Sequence, residues 1–312
     1  MILWWTLFGV FILAMLALDL GVFNRRAHVI KMKEALLWTA FWISLALCFC
    51  AGVYYLYGHG KAIEFFTAYL IEYSLSIDNL FVFMLIFRFF NVPHANEHKA
   101  LFWGILLALI TRAVFIFAGV ALINKFHWVM YVFGVFLIYT GIKLALNKQT
   151  EVHPDKNIAI KLLRYAIPVK KEFHEAKFFI MENGRRFATP MLAVLLALET
   201  TDIIFAIDSI PAVLAISRDP FIVYTSNVFA ILGLRSLFFA ISGLMKLFHL
   251  LHYGLAVILS FVGVKMLLAD FYPVPVGISL AVIASVLVLS VAASLIWPDT
   301  KYEDIPNITM KD

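Results

Sequence analysis

Apolar positions along this chain do not alternate with polar ones at a helical or a strand period. They run on for eighteen residues or more, stop at short polar stretches, and resume. Such runs suit helices that cross about 30 Å of hydrocarbon. Nine are predicted, at about 2–23, 36–57, 62–89, 100–123, 128–146, 190–216, 221–247, 253–270 and 274–297, so the fold class is an all-α polytopic membrane protein. The first run precedes Arg25 and Arg26 instead of following a basic segment, and no small-residue cleavage site is visible. It is therefore read as a span and not as a cleaved signal peptide.

The longest polar interruption, 147–189, contains two patterned pieces. Residues 156–167 place Ile158, Leu162, Leu163, Ala166 and Ile167 to one side of Lys156, Lys161 and Arg164, which suits a short helix in the membrane interface, stopped by Pro168. Then two short runs flank Asn183-Gly184, a type I′ hairpin signal. Thr189-Pro190 reads as the N-cap and first residue of the sixth span. A solvated basic loop that serves only topology explains the charges equally well.

Composition sharpens this picture. Of 312 residues, 63% are hydrophobic and 14% charged, where a soluble domain carries about 25% charged. Soluble, disordered, collagen-like and nucleic-acid-binding classes are excluded. The net charge of +5 is a topology signal. With the N-terminus outside and the C-terminus cytoplasmic, eighteen Lys and Arg fall on the cytoplasmic side and three, Lys61, Lys125 and Arg218, outside. Cys48 and Cys50 lie about 200° apart on a helix and read as small buried hydrophobes.

Four bases, Arg112, Lys143, Arg235 and Lys265, fall inside spans, and they belong to an internal repeat. Glu72-x5-Asp78 in span three resembles Asp202-x5-Asp208 in span six. Arg88 answers to Arg218, Arg112 to Arg235, and Tyr131, Gly141 and Lys143 to Tyr253, Gly263 and Lys265. Each copy has three spans, so the second enters from the opposite side. Inverted repeats of this kind frame alternating-access transporters. The expected organisation is 1–61, two peripheral helices and a cytoplasmic loop; 62–146, the first three-helix repeat; 147–189, the cytoplasmic loop; 190–271, the inverted repeat; and 272–312, a last helix and cytoplasmic tail.

Glu72, Asp78, Glu199, Asp202 and Asp208 lie in the middle of their spans, where an uncompensated carboxylate costs about 2.5–3.5 kcal/mol. Arg112, Lys143, Arg235 and Lys265 are the available counter-charges, and ion pairs that merely lock helices together are one explanation. Counting Asp19, six acids face four bases, a deficit that one divalent cation or two protons would cancel. The neighbours are oxygens and amides, Asn79, Asn227, Ser76, Thr200, Thr201 and Ser209, without His or Cys at that depth. Such a donor set suits Mn²⁺, Mg²⁺ or Ca²⁺. Residues six apart stand about 240° around a helix, so the two acids of each motif share a point only if the helix breaks, and Pro211 offers such a break in span six.

The segments YLIEYSLSIDNLFVF and ALETTDIIFAIDSIPAVLAI, with FATP before span six and SNVFAILGLRSLFF after it, resemble the TerC family of integral membrane proteins, closest to its Alx-type members. The resemblance covers nearly the whole chain. It implies export of manganese from the cytoplasm across the bacterial inner (plasma) membrane, a historical association with tellurium resistance, and a fold akin to the LysE-type exporters. It places the metal-handling acids at Asp78, Glu199, Asp202 and Asp208, with Glu72 alongside.

Other signals are set aside. His94-x-x-Glu97-His98 matches a zinc-peptidase pattern, but it follows Pro93 without a third ligand nearby and reads as a polar turn. His249 and His252 read as capping a turn, Asp270 as interfacial, Asp19 as a partner for Arg25 or Arg26, and the phenylalanine stripes as packing. No Ser or Cys nucleophile sits with a His at span depth, so no enzyme is expected. The expected function is export of a hard divalent cation, most of all Mn²⁺, coupled to protons, with Mn²⁺ as substrate and no tightly bound cofactor. Its partners are membrane lipid and the metal ion, with a homo-oligomer left open and no nucleic acid. An exporter of organic cations or amino acids, and a scaffold acting through the 147–189 loop, are the alternatives.

Overall fold

A computed structural model describes residues 2–21, 32–146, 158–170, 172–174, 177–182, 184–242 and 250–297. The apolar runs form helices α1 (Ile2–Gly21), α2 (Met32–Tyr57), α3 (His59–Phe89), α4 (His94–Lys125) and α5 (Val129–Leu146). After α6 (Ile158–Ala166) and the strands β1 (Phe179–Glu182) and β2 (Arg185–Ala188) come α7 (Pro190–Leu214), α8 (Pro220–Leu232), α9 (Leu234–Ser242), α10 (Leu251–Leu268) and α11 (Val276–Ile296). Seven of these helices, α2, α3, α4, α5, α7, α10 and α11, are long and apolar enough to cross a membrane. The single span expected at 221–247 is instead the pair α8 and α9, bent by 42° at Gly233, and counting it gives up to eight. In α1 the apolar stretch described is the shorter Trp4–Met15.

Helices that are apolar all round need apolar surroundings on every side. The interior supplies one through two clusters, one around Phe65, Leu198 and Phe229, the other around Leu137, Ile210 and Leu259. The outer faces of α5 and α11 stay apolar, with Val132, Val135, Tyr139, Val288 and Leu289 exposed, a surface suited to lipid. The chain is an integral membrane protein. Cys48 is exposed on α2 and not buried as its apolar surroundings suggested; Cys50 is half-buried, its thiol 3.5 Å from the Ala62 carbonyl.

The layout brings α3 against α8, α4 against α7 and α5 against α10. The last pair approaches most closely, because glycines line it. A Cβ on Gly263 would sit 2.6 Å from the Gly134 carbonyl oxygen, and one on Gly141 would sit 2.4 Å from Ser260 Oγ and 2.7 Å from the Ala256 carbonyl oxygen.

Several local expectations need correcting. Pro211 does not break α7, which runs unbroken to Leu214; the proline falls in the last turn, where little helix remains to be displaced. The His94-x-x-Glu97-His98 motif is the first turn of α4 and not a connecting turn. Its His98 ring stacks on Phe239 at 4.4 Å between centroids. Thr189 occupies the N-cap position of α7, yet its hydroxyl donates to the Lys177 carbonyl at 2.5 Å and caps nothing. In α6 the buried face is Ile160 and Leu163, while Leu162 points outward. The hairpin forms with Glu182 opposite Arg185, and Gly184 takes φ 73°, as its tight turn requires. The side chains of Asp19 and His94, residues Arg25 and Arg26, Asn183 and His249 lie outside the described part.

Candidate functional site

Where α3, α4 and α7 meet, Arg112 is almost fully buried. Its Nε donates to Asp202 Oδ2 at 3.2 Å and its Nη2 to Asp202 Oδ1 at 2.9 Å, a two-pronged grip. Its Nη1 donates to Glu72 Oε2 at 2.6 Å and reaches Ser209 Oγ at 3.4 Å. One guanidinium thus joins two acidic motifs 130 residues apart in sequence, and Ser209 belongs to the same knot. Planar, multiply bonded geometry is what makes arginine the residue suited to this task.

The acids are not fully satisfied by it. Glu72 Oε1 is buried without a hydrogen-bond partner, as is Ser76 Oγ one turn further along α3. Glu199 lies three residues before Asp202, so both are on one side of α7, and electrostatic interaction ties it to Asp202 and Arg112. Neither of its buried oxygens has a hydrogen bond of good geometry, although the Thr111 hydroxyl is close enough to act on the carboxylate. The hydroxyl of the neighbouring Thr111 points to the Leu107 and Ala108 carbonyls instead. Thr200 and Thr201 likewise donate to backbone carbonyls of their own helix, at 2.6 and 2.8 Å. Buried acceptors without donors are rare enough in folded proteins to call for an explanation.

The second acid of the α7 motif goes elsewhere. Asp208 accepts from Thr140 Oγ1 of α5 at 3.1 Å, and Lys143, one turn on and exposed, acts on it electrostatically. Unbroken helices therefore split the motif as the 240° separation requires. Asp78 is half-buried on α3, and Asn79 beside it is buried. Asn227 on α8 is buried with neither amide atom bonded. Arg235 is buried on α9. Lys265, expected as a counter-charge, donates to Ser279 Oγ of α11 at 2.9 Å. Among the described residues, no three His, Cys, Asp or Glu side chains converge as a ready set of metal ligands.

Some polar residues escaped the sequence reading. Thr140 had a signal, since it directly precedes Gly141 of the repeated motif. Glu64 did not, because it sits near the end of its apolar run. It accepts from Ser217 Oγ at 2.5 Å and pairs with Lys61 at 2.9 Å, and the same ammonium lies 3.5 Å from Asp219. Asp219 also caps α8 by accepting from Phe221 N.

Residues 57–302, which include every group of this knot, match the model of the TerC family of integral membrane proteins. The chain belongs to the TerC family. Its relatives include the "Uncharacterized membrane protein STKORF319" of Myxococcus xanthus, 53% identical over 292 residues that cover 94% of this chain and 92% of that one. The "Putative membrane-bound redox modulator Alx" of Escherichia coli (strain K12) is 43% identical over 295 residues, 92% of each chain. The protein of the same name from Photorhabdus laumondii is 39% identical over 312 residues, 97% of each chain. No solved structure matches this member of the TerC family.

Proposed function

We propose that this TerC-family protein is a secondary transporter that exports a hard divalent cation, Mn²⁺ foremost, from the bacterial cytoplasm in exchange for protons. The observation that carries the proposal is the set of unbonded buried oxygens of Glu72, Ser76 and Glu199 beside an arginine already engaged. With Glu72, Asp202 and Glu199 ionised against Arg112, the knot holds three negative charges and one positive, a surplus that a single divalent cation cancels. An all-oxygen donor set favours Mn²⁺, Mg²⁺ or Ca²⁺ over softer metals. Protons compete for the same carboxylates, which gives exchange a chemical basis. Asp78 and Asp208, turned away from the knot, would serve as the second station for metal or proton.

The frame is nine spans, with α1 and the α8–α9 pair each crossing once, the N-terminus outside and the C-terminus in the cytoplasm. An inverted repeat of α3–α5 and α7–α10 is supported by the glycine contacts. The offset of 122 that takes Lys143 to Lys265 takes Gly141 to Gly263 and Gly134 to Ala256. Exchanging the copies turns the Gly134–Gly263 contact into the Ala256–Gly141 contact, and both are close. The same exchange relates the α3–α8 pairing to the α4–α7 pairing. A redox role, suggested by the name of the Alx relatives, would act through the transported metal, since Cys48 and Cys50 point in different directions from α2.

The test uses proteoliposomes loaded with a metal-sensitive dye. Glu199→Gln, Asp78→Asn and Asp208→Asn are each expected to abolish Mn²⁺ flux while the protein still inserts and unfolds as the wild type does. Wild-type flux in all three would overturn the assignment.

A further inference from the structure

The unit formed by α6 and the hairpin leaves apolar side chains uncovered. Ile160 and Leu163 are turned inward, and Leu163 packs with Ala188 and Ala193 at the first turn of α7. On the opposite side of α6, Leu162 is 66% and Tyr165 92% exposed. The segment after α6 is tied to β2: Val169 bridges Ala188, Lys170 N donates to the Ala188 carbonyl, and Ala188 N donates to that of Pro168. Side chains of paired strand residues share a face, so Ala188, Phe179, Arg186 and Met181 lie on one side of the hairpin. Ala188 is buried against the α6–α7 contact, whereas Met181 is 73% and Phe179 45% exposed, with the Arg186 guanidinium over the Phe179 ring.

Position decides what covers this surface. α6 packs on the first turns of α7, where Leu192 and Leu196 meet Leu163 and Ala188, so it lies at the end of a span, level with lipid headgroups. A two-sided short helix with apolar and basic residues belongs in such an interface. Its bases match one kind of neighbour. Lys161 is exposed beside Leu162; Arg186 flanks Met181; and Lys170 neutralises the nearby Glu182, an exposed acid whose carboxyl the ammonium holds below its ordinary range.

We infer that α6 and the β1–β2 hairpin form a docking surface for anionic phospholipid of the adjoining leaflet. Leu162, Tyr165, Phe179 and Met181 enter the acyl boundary, and Lys161 and Arg186 hold headgroup phosphates. The lipid would act on the α7 acids, because Thr189, the residue before α7, is fastened to the hairpin. Its N–H donates to the Phe178 carbonyl at 3.0 Å and its hydroxyl to that of Lys177. Phe178 in turn meets Trp103 of α4 edge-on, with Lys99 over its ring. This consequence for the acids rests on the transport reading; the docking itself does not.

The experiment places a spin label at Leu162→Cys in full-length protein carrying Cys48→Ala and Cys50→Ala. The protein is reconstituted in vesicles of phosphatidylcholine alone or mixed equally with phosphatidylglycerol. The label should collide with oxygen and be shielded from a water-soluble nickel chelate. Native mass spectrometry of the full chain should show retained phosphatidylglycerol in preference to phosphatidylcholine. In Lys161→Gln/Arg186→Gln that preference should fall about fivefold for each charge removed, while Lys161→Arg/Arg186→Lys keeps it. Free access of nickel to Leu162, shielding from both probes, or unchanged preference in the double Gln variant would each overturn the proposal. None of these readouts involves Mn²⁺, so they stand whether or not the transport assay succeeds.

Discussion

Arg112 holds the buried carboxylates of Glu72 and Asp202. Removing one partner of a buried ion pair leaves the other charged and unsolvated, which costs about 3–5 kcal/mol. Arg112→Met should therefore lower thermal stability in detergent markedly, and Arg112→Lys should rescue it only in part, since an ammonium cannot reproduce the two-pronged grip on Asp202. Adding Glu72→Gln and Asp202→Asn to Arg112→Met should recover most of the loss. A different residue-scale prediction concerns Asp270, which lies beyond α10 and accepts from Tyr131 Oη at 2.6 Å and from His127 at 2.9 Å. These two hydrogen bonds, Tyr131 first, hold its carboxyl below the ordinary range. A depressed carboxylate stabilises the fold above the ordinary value of about 3.9, and the contribution fades as pH falls through and below that value. The wild type should lose stability there, and Asp270→Asn should remove that part of the pH dependence, as read by thermal unfolding between neutral and acidic pH.

Among elements, α5 and α10 make the sharpest prediction because their contact has no room for a methyl group. Gly141→Ala would drive its Cβ to 2.4 Å from Ser260 Oγ, and Gly263→Ala to 2.6 Å from the Gly134 carbonyl oxygen. Each should destabilise by about 1–3 kcal/mol, the usual cost of overpacking. Gly52→Ala in α2, with nothing within 4 Å, should be neutral or slightly stabilising, and denaturation in detergent distinguishes the two groups. Seven of the nine expected spans were legible as long apolar helices, because hydrophobicity sets span length directly. The bend at Gly233 was not, since 221–247 reads as one apolar run and the break depends on how α8 and α9 pack on α2 and α3. The buried side of α6 was also misplaced: Ile160 and Leu163 turn inward because α7 is there, and a nine-residue pattern does not say which of two apolar sides meets a neighbour.

For the whole molecule, the sequence marked Arg112 as a counter-charge to the span acids but not which of them it meets. Arg112 was paired with Arg235 by the repeat, yet its actual partners, Glu72 and Asp202, come one from each acidic motif, which only the crossing of three helices determines. Lys265 is hydrogen-bonded to a serine, and the acid that acts on it, Glu64, belongs to neither motif. The proposed orientation can be checked on intact cells. With native cysteines replaced, Asp270→Cys should react with a membrane-impermeant thiol reagent added outside, and Arg185→Cys only after the membrane is opened. The reverse pattern would invert the topology.

The Arg112 knot also bears on how the chain is made. Synthesis delivers Glu72 on α3 first, Arg112 on α4 next, and Asp202 on α7 some ninety residues later. A lone arginine at mid-bilayer costs about 2.5–3.5 kcal/mol on insertion, so α4 enters most readily as a hairpin with α3, its charge already matched by Glu72. When α7 arrives, its aspartate finds a cation waiting in the membrane. A Glu72→Gln chain should consequently falter during biogenesis, with α4 left partly outside the bilayer before any substrate is encountered.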